Sequence, residues 1–274
     1  MQVMQNIDTQ PKPSLWTKNF ILICLGTFLF WATSHMLMPI LPKYAISLGV
    51  DERLIGLING FYTIASVSVR PLIGMECDRR GRKVVFMFGL SALFLSAIGY
   101  YWALSFIVIL IWRIIHGMGW AACSTASNTI AADLIPAERK GEGIGYFGMF
   151  ATIAQCAAPA VALSILANYG FKKVFIASIL LGFMALFSGS VLKLEAYDIK
   201  YPKNVRPAFF DRRAVKVSIL MFFLAISYSG IVSYIALCGE ERGISNMSPF
   251  FLAYAVGILS SRLRVGKYYD KKGP

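Results

Sequence analysis

Of 274 residues, 57% are hydrophobic and only 15% are charged, with a mean hydropathy of +0.62. That apolar content exceeds the roughly 45–50% of a soluble globular protein, so water is not the chain's main solvent. The net charge of +13 would suit a nucleic-acid partner, but the positions of the charges along the chain exclude that reading.

The charges are clustered. Between the clusters lie charge-free runs at Phe20 to Pro42, Leu54 to Val69, Val84 to Trp112, Ile114 to Ala132, Gly143 to Phe171, Val174 to Leu192, Val217 to Gly239 and Gly243 to Ser261. Each approaches or exceeds the roughly 17–25 residues that cross a bilayer as a helix. The fold expected is therefore an all-α, polytopic membrane protein of eight spans. Residues 1–19, with Lys12, Pro13, Trp16 and Lys18, resemble the start of a secretory leader. The run from Phe20 to Leu41 is longer than the roughly 7–15 residues of a leader's apolar core, so it reads as a retained first span.

Alternating from a cytoplasmic N-terminus, the cytoplasmic segments collect most of the 27 Lys and Arg, while the external ones hold Lys43, Arg53, Lys172, Lys173 and Arg242. This is the positive-inside pattern, which explains the basic balance without any nucleic acid. Both termini are expected in the cytoplasm and the protein in a bacterial cytoplasmic membrane, with the lipid bilayer as its first partner.

The chain divides into a cytoplasmic segment 1–19, a six-helix bundle 20–193, a linker 194–216 and a partial second bundle 217–274. The linker is marked by Pro202, Pro207 and charges of mixed sign from Glu195 to Arg213, as expected between domains. Spans 7 and 8, near Val217 to Leu237 and Ser245 to Ser261, lead into a basic tail from Arg262 to Pro274.

An internal repeat supports the division into halves. Arg70-x-x-x-Gly74-x-x-x-Asp78-Arg79-Arg80-Gly81 recurs as Arg262-x-x-x-Gly266-x-x-x-Asp270-Lys271-Lys272-Gly273, at one constant offset. Each copy stands where an even-numbered span leaves the membrane on the cytoplasmic side. Parallel halves related by an axis along the membrane normal are the repeat logic of one large transporter class. In the first copy, Arg70, Gly74 and Asp78 form one stripe along the end of span 2. Gly74 permits another helix to approach, Asp78 sets a carboxylate at that contact, and Gly81 permits a tight turn into Arg82 and Lys83. The geometry suits a gate latch, and a topology-fixing basic loop is the plainer alternative.

These residues resemble the loop motif of the major facilitator superfamily, G-x-x-x-D-R-x-G-R-[RK], read here from Gly74 through Asp78, Arg79, Gly81 and Arg82 to Lys83. The resemblance implies a charge-based latch that stabilises one access state by bridging to the other half. It also implies that Asp133, at the cytoplasmic end of span 4, is an acidic partner of the latch. The second copy, Arg262, Gly266, Asp270 and Gly273, resembles the equivalent loop between family spans 8 and 9.

Val84 to Trp112 is too short for two full crossings, which need about 40 residues. If span 3 ends near Trp102, in the Tyr100-Tyr101-Trp102 cluster typical of an interface, span 4 starts near Phe106. Arg113 then lies about 10 Å deep at 1.5 Å per residue, and a buried Arg at that depth is a functional residue by default. The alternative is one long span ending at Trp112 with Arg113 in a turn. Leu110-x-x-Arg113-x-x-His116-Gly117-x-Gly119-x-Ala121 resembles the superfamily's fourth-span motif, R-x-x-Q-G-x-G-A-A, with His116 replacing Gln and Trp120 where a small residue is common. There the Arg faces the cavity and is associated with proton coupling.

In span 5, Gly145, Ala154, Ala158, Pro159 and Ala162 stand at the spacing of the family's antiporter motif, G-x8-G-x3-G-P-x2-G, with three glycines replaced by alanine. Small residues there permit close helix packing, and Pro159 frees a carbonyl that lets the helix bend. This favours export over uptake. Gly143 to Gly148 matches G-x-G-x-x-G, but it follows a charged loop rather than a strand, so helix packing explains it.

The polar residues expected to face a cavity are His35, Asn59, Tyr62, His116, Asn128 and Gln155, since lipid disfavours them. A free imidazole titrates near neutral pH, which makes His35 a candidate to take part in proton movement. The five cysteines are scattered singly with no metal-ligand spacing, and neither a Ser/His/acid set nor a Walker loop is present. No enzyme, metal or cofactor is therefore expected. A receptor or scaffold with a lipid-binding basic face fits the tail but does not require Arg113 or the repeated Gly and Asp. The expectation is a solute:proton secondary transporter of small organic compounds that rocks two halves about a central site. Uptake is the alternative direction, and a fragment that needs a missing C-terminal half, spans 9 to 12, is the alternative status.

Overall fold

The computed structural model describes residues 14–194, 215–227, 242 and a subset of positions between 253 and 270. Helix α1 (Lys18–Ser47) starts where the Thr17 hydroxyl accepts the Phe20 amide at 3.2 Å, so the sequence signal for its first turn is an ordinary N-cap. At 30 residues it is about 45 Å long, enough to cross the roughly 30 Å hydrocarbon core with turns to spare. Helix α2 (Glu52–Arg80) is capped by Asp51, whose carboxylate accepts the Arg53 amide at 2.8 Å. It stops at Gly81, where φ of +91° sets the turn into α3 (Arg82–Tyr101).

Helix α4 spans Phe106–Leu134, and a short 3-10 turn at Ala137–Arg139 leads into α5 (Lys140–Val191). Gly170, with φ of +77°, breaks α5 into two arms, 140–169 and 171–191. The described residues 14–191 thus supply six helical segments. Helices α1, α3, α4 and α5 are long and apolar enough to cross a membrane. Helix α2 is as long as α4 but more polar, with Asn59, Ser66, Ser68 and Arg70 along it. A shorter apolar helix, α6 (Val215–Ser227), lies where span 7 is expected to begin. No strand occurs among the described residues.

The chain divides into one unit of Met1–Ile199 with Arg262–Pro274 and another of Lys200–Ser261. Within the first, α1 packs along α5, and α4 packs between α2 and α3. Two apolar clusters fill it. One gathers Phe20, Ile23, Phe30, Phe86, Leu90, Ala126 and Ile130, and the other Met36, Leu37, Ile40, Tyr100, Ile109 and Phe175. Along α4, Arg113 and His116 fall between Ile109 of one cluster and Ala122 of the other. The linker residues 195–214 and the loop residues Arg262, Gly266 and Gly273 lie outside the described set.

Candidate transport site and gate

Helix α4 begins at Phe106, so Arg113 lies two turns inside it and the long-span alternative is not the one adopted. Its side chain is fully buried. Nη2 donates to Asn59 Oδ1 at 2.5 Å, and Cζ stands 4.8 Å over the Tyr62 ring. The Tyr100 hydroxyl also faces the guanidinium. Asn59, Tyr62 and Arg113 are thus brought together by α2 and α4. This approach depends on Gly117, because a Cβ there would run into the Tyr62 carbonyl oxygen.

One turn along α4, His116 is also fully buried. Its Nδ1 shares a 3.2 Å hydrogen bond with the Tyr100 hydroxyl, and its Nε2 a 3.0 Å bond with Ser34 Oγ. The Tyr62 ring meets the imidazole edge-on at 5.3 Å. Both ring nitrogens therefore have partners, and the partners sit on α1 and α3. Because each hydroxyl both donates and accepts, either neutral tautomer is satisfied. The polar node of Ser34, Asn59, Tyr62, Tyr100, Arg113 and His116 joins the first four helices. Sequence reasoning missed Ser34 and Tyr100. Tyr100 reads as an interfacial aromatic, yet it is fully buried.

His35 is placed beside the node rather than in it. Its ring stacks on Trp31 at 4.9 Å and 7°, and Nδ1–H donates to the Trp31 carbonyl at 3.0 Å. Trp120, unusual for the motif, packs edge-on against Trp31 at 4.8 Å and against Phe30 at 5.6 Å. Asn128 donates to the Ser124 carbonyl of its own helix at 2.7 Å and is otherwise exposed. Gln155 is exposed on α5, on a different side from the buried stripe of Gly145, Ala154, Ala158 and Ala162. Three of those alanines belong to the cluster that packs against α1. Pro159 is half-buried within the helix.

Where α2 turns into α3, Arg82 at the start of α3 forms an ion pair with Asp133 at the end of α4. Lys83 Nζ donates to the Ser190 carbonyl at 3.2 Å, and Arg80 pairs with Glu76 at 2.6 Å. Asp78 and Arg79 are exposed at the end of α2. A Cβ on Gly74 would meet no described atom within 4 Å. Asp270 of the second motif copy accepts the Gly141 amide at 2.6 Å and the Glu142 amide at 2.8 Å. Its carboxylate caps the start of α5, where free amides and the helix dipole favour an anion. Among the described residues no group of His, Cys, Asp and Glu is arranged to hold a metal ion.

An MFS-type transporter of Methanocaldococcus jannaschii is 27% identical over 93% of this chain and 69% of its own length. The staphylopine export protein of Staphylococcus aureus is 22% identical over 93% of this chain and 66% of its own. The multidrug resistance protein MdtG of a Rahnella strain is 24% identical over 97% and 69%. The chain thus spans about two thirds of the length of these relatives. The human organic anion transporter MFSD10 shares the fold, with a TM-score of 0.55 and 20% identity over 67% of this chain and 48% of that one. The model of the Major Facilitator Superfamily matches residues 23–274, and the chain, an integral membrane protein, belongs to that family of transporters.

Proposed function

We propose that this chain serves proton-coupled export of small organic compounds by alternating access, with the buried node around Arg113 as its centre. The observation that carries the reading is Arg113 itself, a charged side chain held fully buried in a membrane helix by Asn59, Tyr62 and Tyr100. Such a residue is costly and persists where it serves a pathway. His116, hydrogen-bonded to α1 and α3, is the titratable group next to it and takes the proton-handling place given to His35 from the sequence. Export is supported by relatives named for staphylopine export and multidrug resistance.

The contacts at the helix ends are the gate in this reading. Asp270 on the α5 amides holds one side closed and parts when the halves rock, while Arg82 with Asp133 ties α3 to α4 beside that contact. Two-state elements of this kind respond to a ligand only through a difference in affinity between states. The test is accumulation of fluorescent organic compounds in everted membrane vesicles holding the protein. Accumulation that needs a pH gradient, and stops when a protonophore collapses it, supports the reading. Accumulation indifferent to the gradient rules out proton coupling, and none above background rules out transport.

A further inference from the structure

Residues 15–19, which lead into α1, touch both ends of the bent helix α5. Leu15 is fully buried, in the cluster that holds Phe20, Phe147 and Leu192. The Trp16 ring meets two others, Tyr146 in the first arm of α5 at 4.9 Å and Phe20 of α1 at 5.7 Å. Asn19 Nδ2 donates to the Lys193 carbonyl at 2.6 Å, just past the end of the second arm. Thr17 caps the first turn of α1 between these anchors, which fixes the backbone where it crosses from one to the other. The two arms of α5 are joined in sequence at Gly170, where φ is +77°, and their other ends are tied by residues 15–19.

The first turn of α5 is also where Asp270 docks, on the Gly141 and Glu142 amides. Tyr146 follows Glu142 by four residues, so Trp16 grips the face one turn below that carboxylate. First-turn amides have no partner inside their own helix, and their direction is set by what packs on the turn. Gly143 lies so close to Ile135 that a Cβ would strike its side chain, and Arg139 pairs with Glu142 at 2.8 Å. Those two contacts reach back along the preceding turn, whereas Trp16 braces the arm against α1. We infer that residues 15–19 form a clasp that aims the first arm of α5 at the Asp270 carboxylate, with Trp16 and Tyr146 as positioning residues. This rests on the gate reading above and adds the element that orients the receiving end of the gate. Two adjacent amides on one carboxylate need direction as well as distance, and edge-to-face or tilted ring pairs supply a specific orientation. Trp16 is 46% exposed, so replacing it leaves the buried core in place.

The test is a double-mutant cycle read by amide exchange on the whole chain in detergent micelles. Trp16→Ala should accelerate exchange at Gly141 and Glu142 about two- to tenfold, the range of one aromatic pair. Amides in the middle of α4 should keep their rates. Trp16→Phe, which retains a ring, should restore most of the protection, and Tyr146→Leu should reproduce Trp16→Ala from the other side of the contact. Once Asp270→Asn has weakened the cap, Trp16→Ala should add less than it does alone, because groups that act through one another are not additive. In everted vesicles, Trp16→Ala and Asp270→Asn should each slow transport, and the double variant no more than the slower single one.

Exchange effects of Trp16→Ala and Asp270→Asn that simply multiply at these two amides overturn the clasp. So does acceleration that spreads equally to α4, the result of a general loosening, and so does unchanged exchange in Trp16→Ala. Any of these results alongside slowed transport in Asp270→Asn overturns the clasp and leaves the gate reading standing. Coupled exchange with transport indifferent to Asp270→Asn upholds the clasp and overturns the gate.

Discussion

Ser34 Oγ on α1 and His116 Nε2 on α4 stand 3.0 Å apart, and through them the node reaches the helix that packs longest against α5. The hydrogen bonds among Ser34, Tyr100 and His116 join hydroxyls to an imidazole and link three helices. Interhelical hydrogen bonds in membranes contribute modestly, about 0.6 kcal/mol on average. Ser34→Ala is therefore expected to cost about that much. His116→Leu, which strips Ser34 and Tyr100 of a partner together, should cost about 1–3 kcal/mol. His116→Gln, the residue usual in the family motif, should fall between them. Thermal unfolding in detergent micelles checks the order.

Gly117 sets the distance between α2 and α4. Gly117→Val would push Tyr62 and Asn59 away from Arg113, so it is expected to destabilise by about 1–3 kcal/mol, in the range of overpacked cores. Gly74→Val, with no described atom within 4 Å of a Cβ, should leave stability unchanged. A reversal of the two effects in unfolding experiments would contradict the packing described.

Much of the bundle was legible in the sequence, because lipid leaves few solutions: long apolar runs become helices. The end of α3 and the start of α4 fall within a residue of the positions read from Trp102 and Phe106, since the short run Val84 to Trp112 leaves little freedom. Arg113 and His116 of the fourth-span motif meet Asn59 and Tyr62 of α2, Tyr100 of α3 and Ser34 of α1. What the sequence does not carry is facing. Tyr100 is not distinguishable from Tyr101 and Trp102 by composition, yet it turns inward to His116 while Trp102 is 72% exposed. His35 and His116 are equally plausible as titratable groups until the neighbours are known. His35 bonds back to its own helix, whereas His116 bridges to two others.

The pairing of Arg82 with Asp133 is partly exposed, and such pairs contribute only about 0–1 kcal/mol. Asp133→Asn should thus leave the unfolding temperature within a degree or so of wild type. Its effect is expected on transport, as a several-fold fall in rate, which the exchanged pair Arg82→Asp with Asp133→Arg partly restores. Flux assays on the three variants check this, and an unrestored rate would argue against the pair as a latch element.

Asp270 caps the first turn of α5 through the Gly141 and Glu142 amides. Asp270→Asn retains an acceptor but loses the charge–dipole attraction, worth about 0.3–1 kcal/mol at a helix N-terminus. Amide exchange at Gly141 and Glu142 should accelerate about two- to fivefold, in line with that energy, while amides in the middle of α4 stay unchanged. Unchanged exchange at both amides would contradict the cap.

The measurement that bears most directly on the whole account is gradient-driven accumulation in everted vesicles by wild type, Arg113→Ala and His35→Ala at matched expression. The account expects Arg113→Ala to fall to background and His35→Ala, outside the node, to keep most of the rate. An Arg113→Ala protein that accumulates substrate as fast as wild type would contradict it.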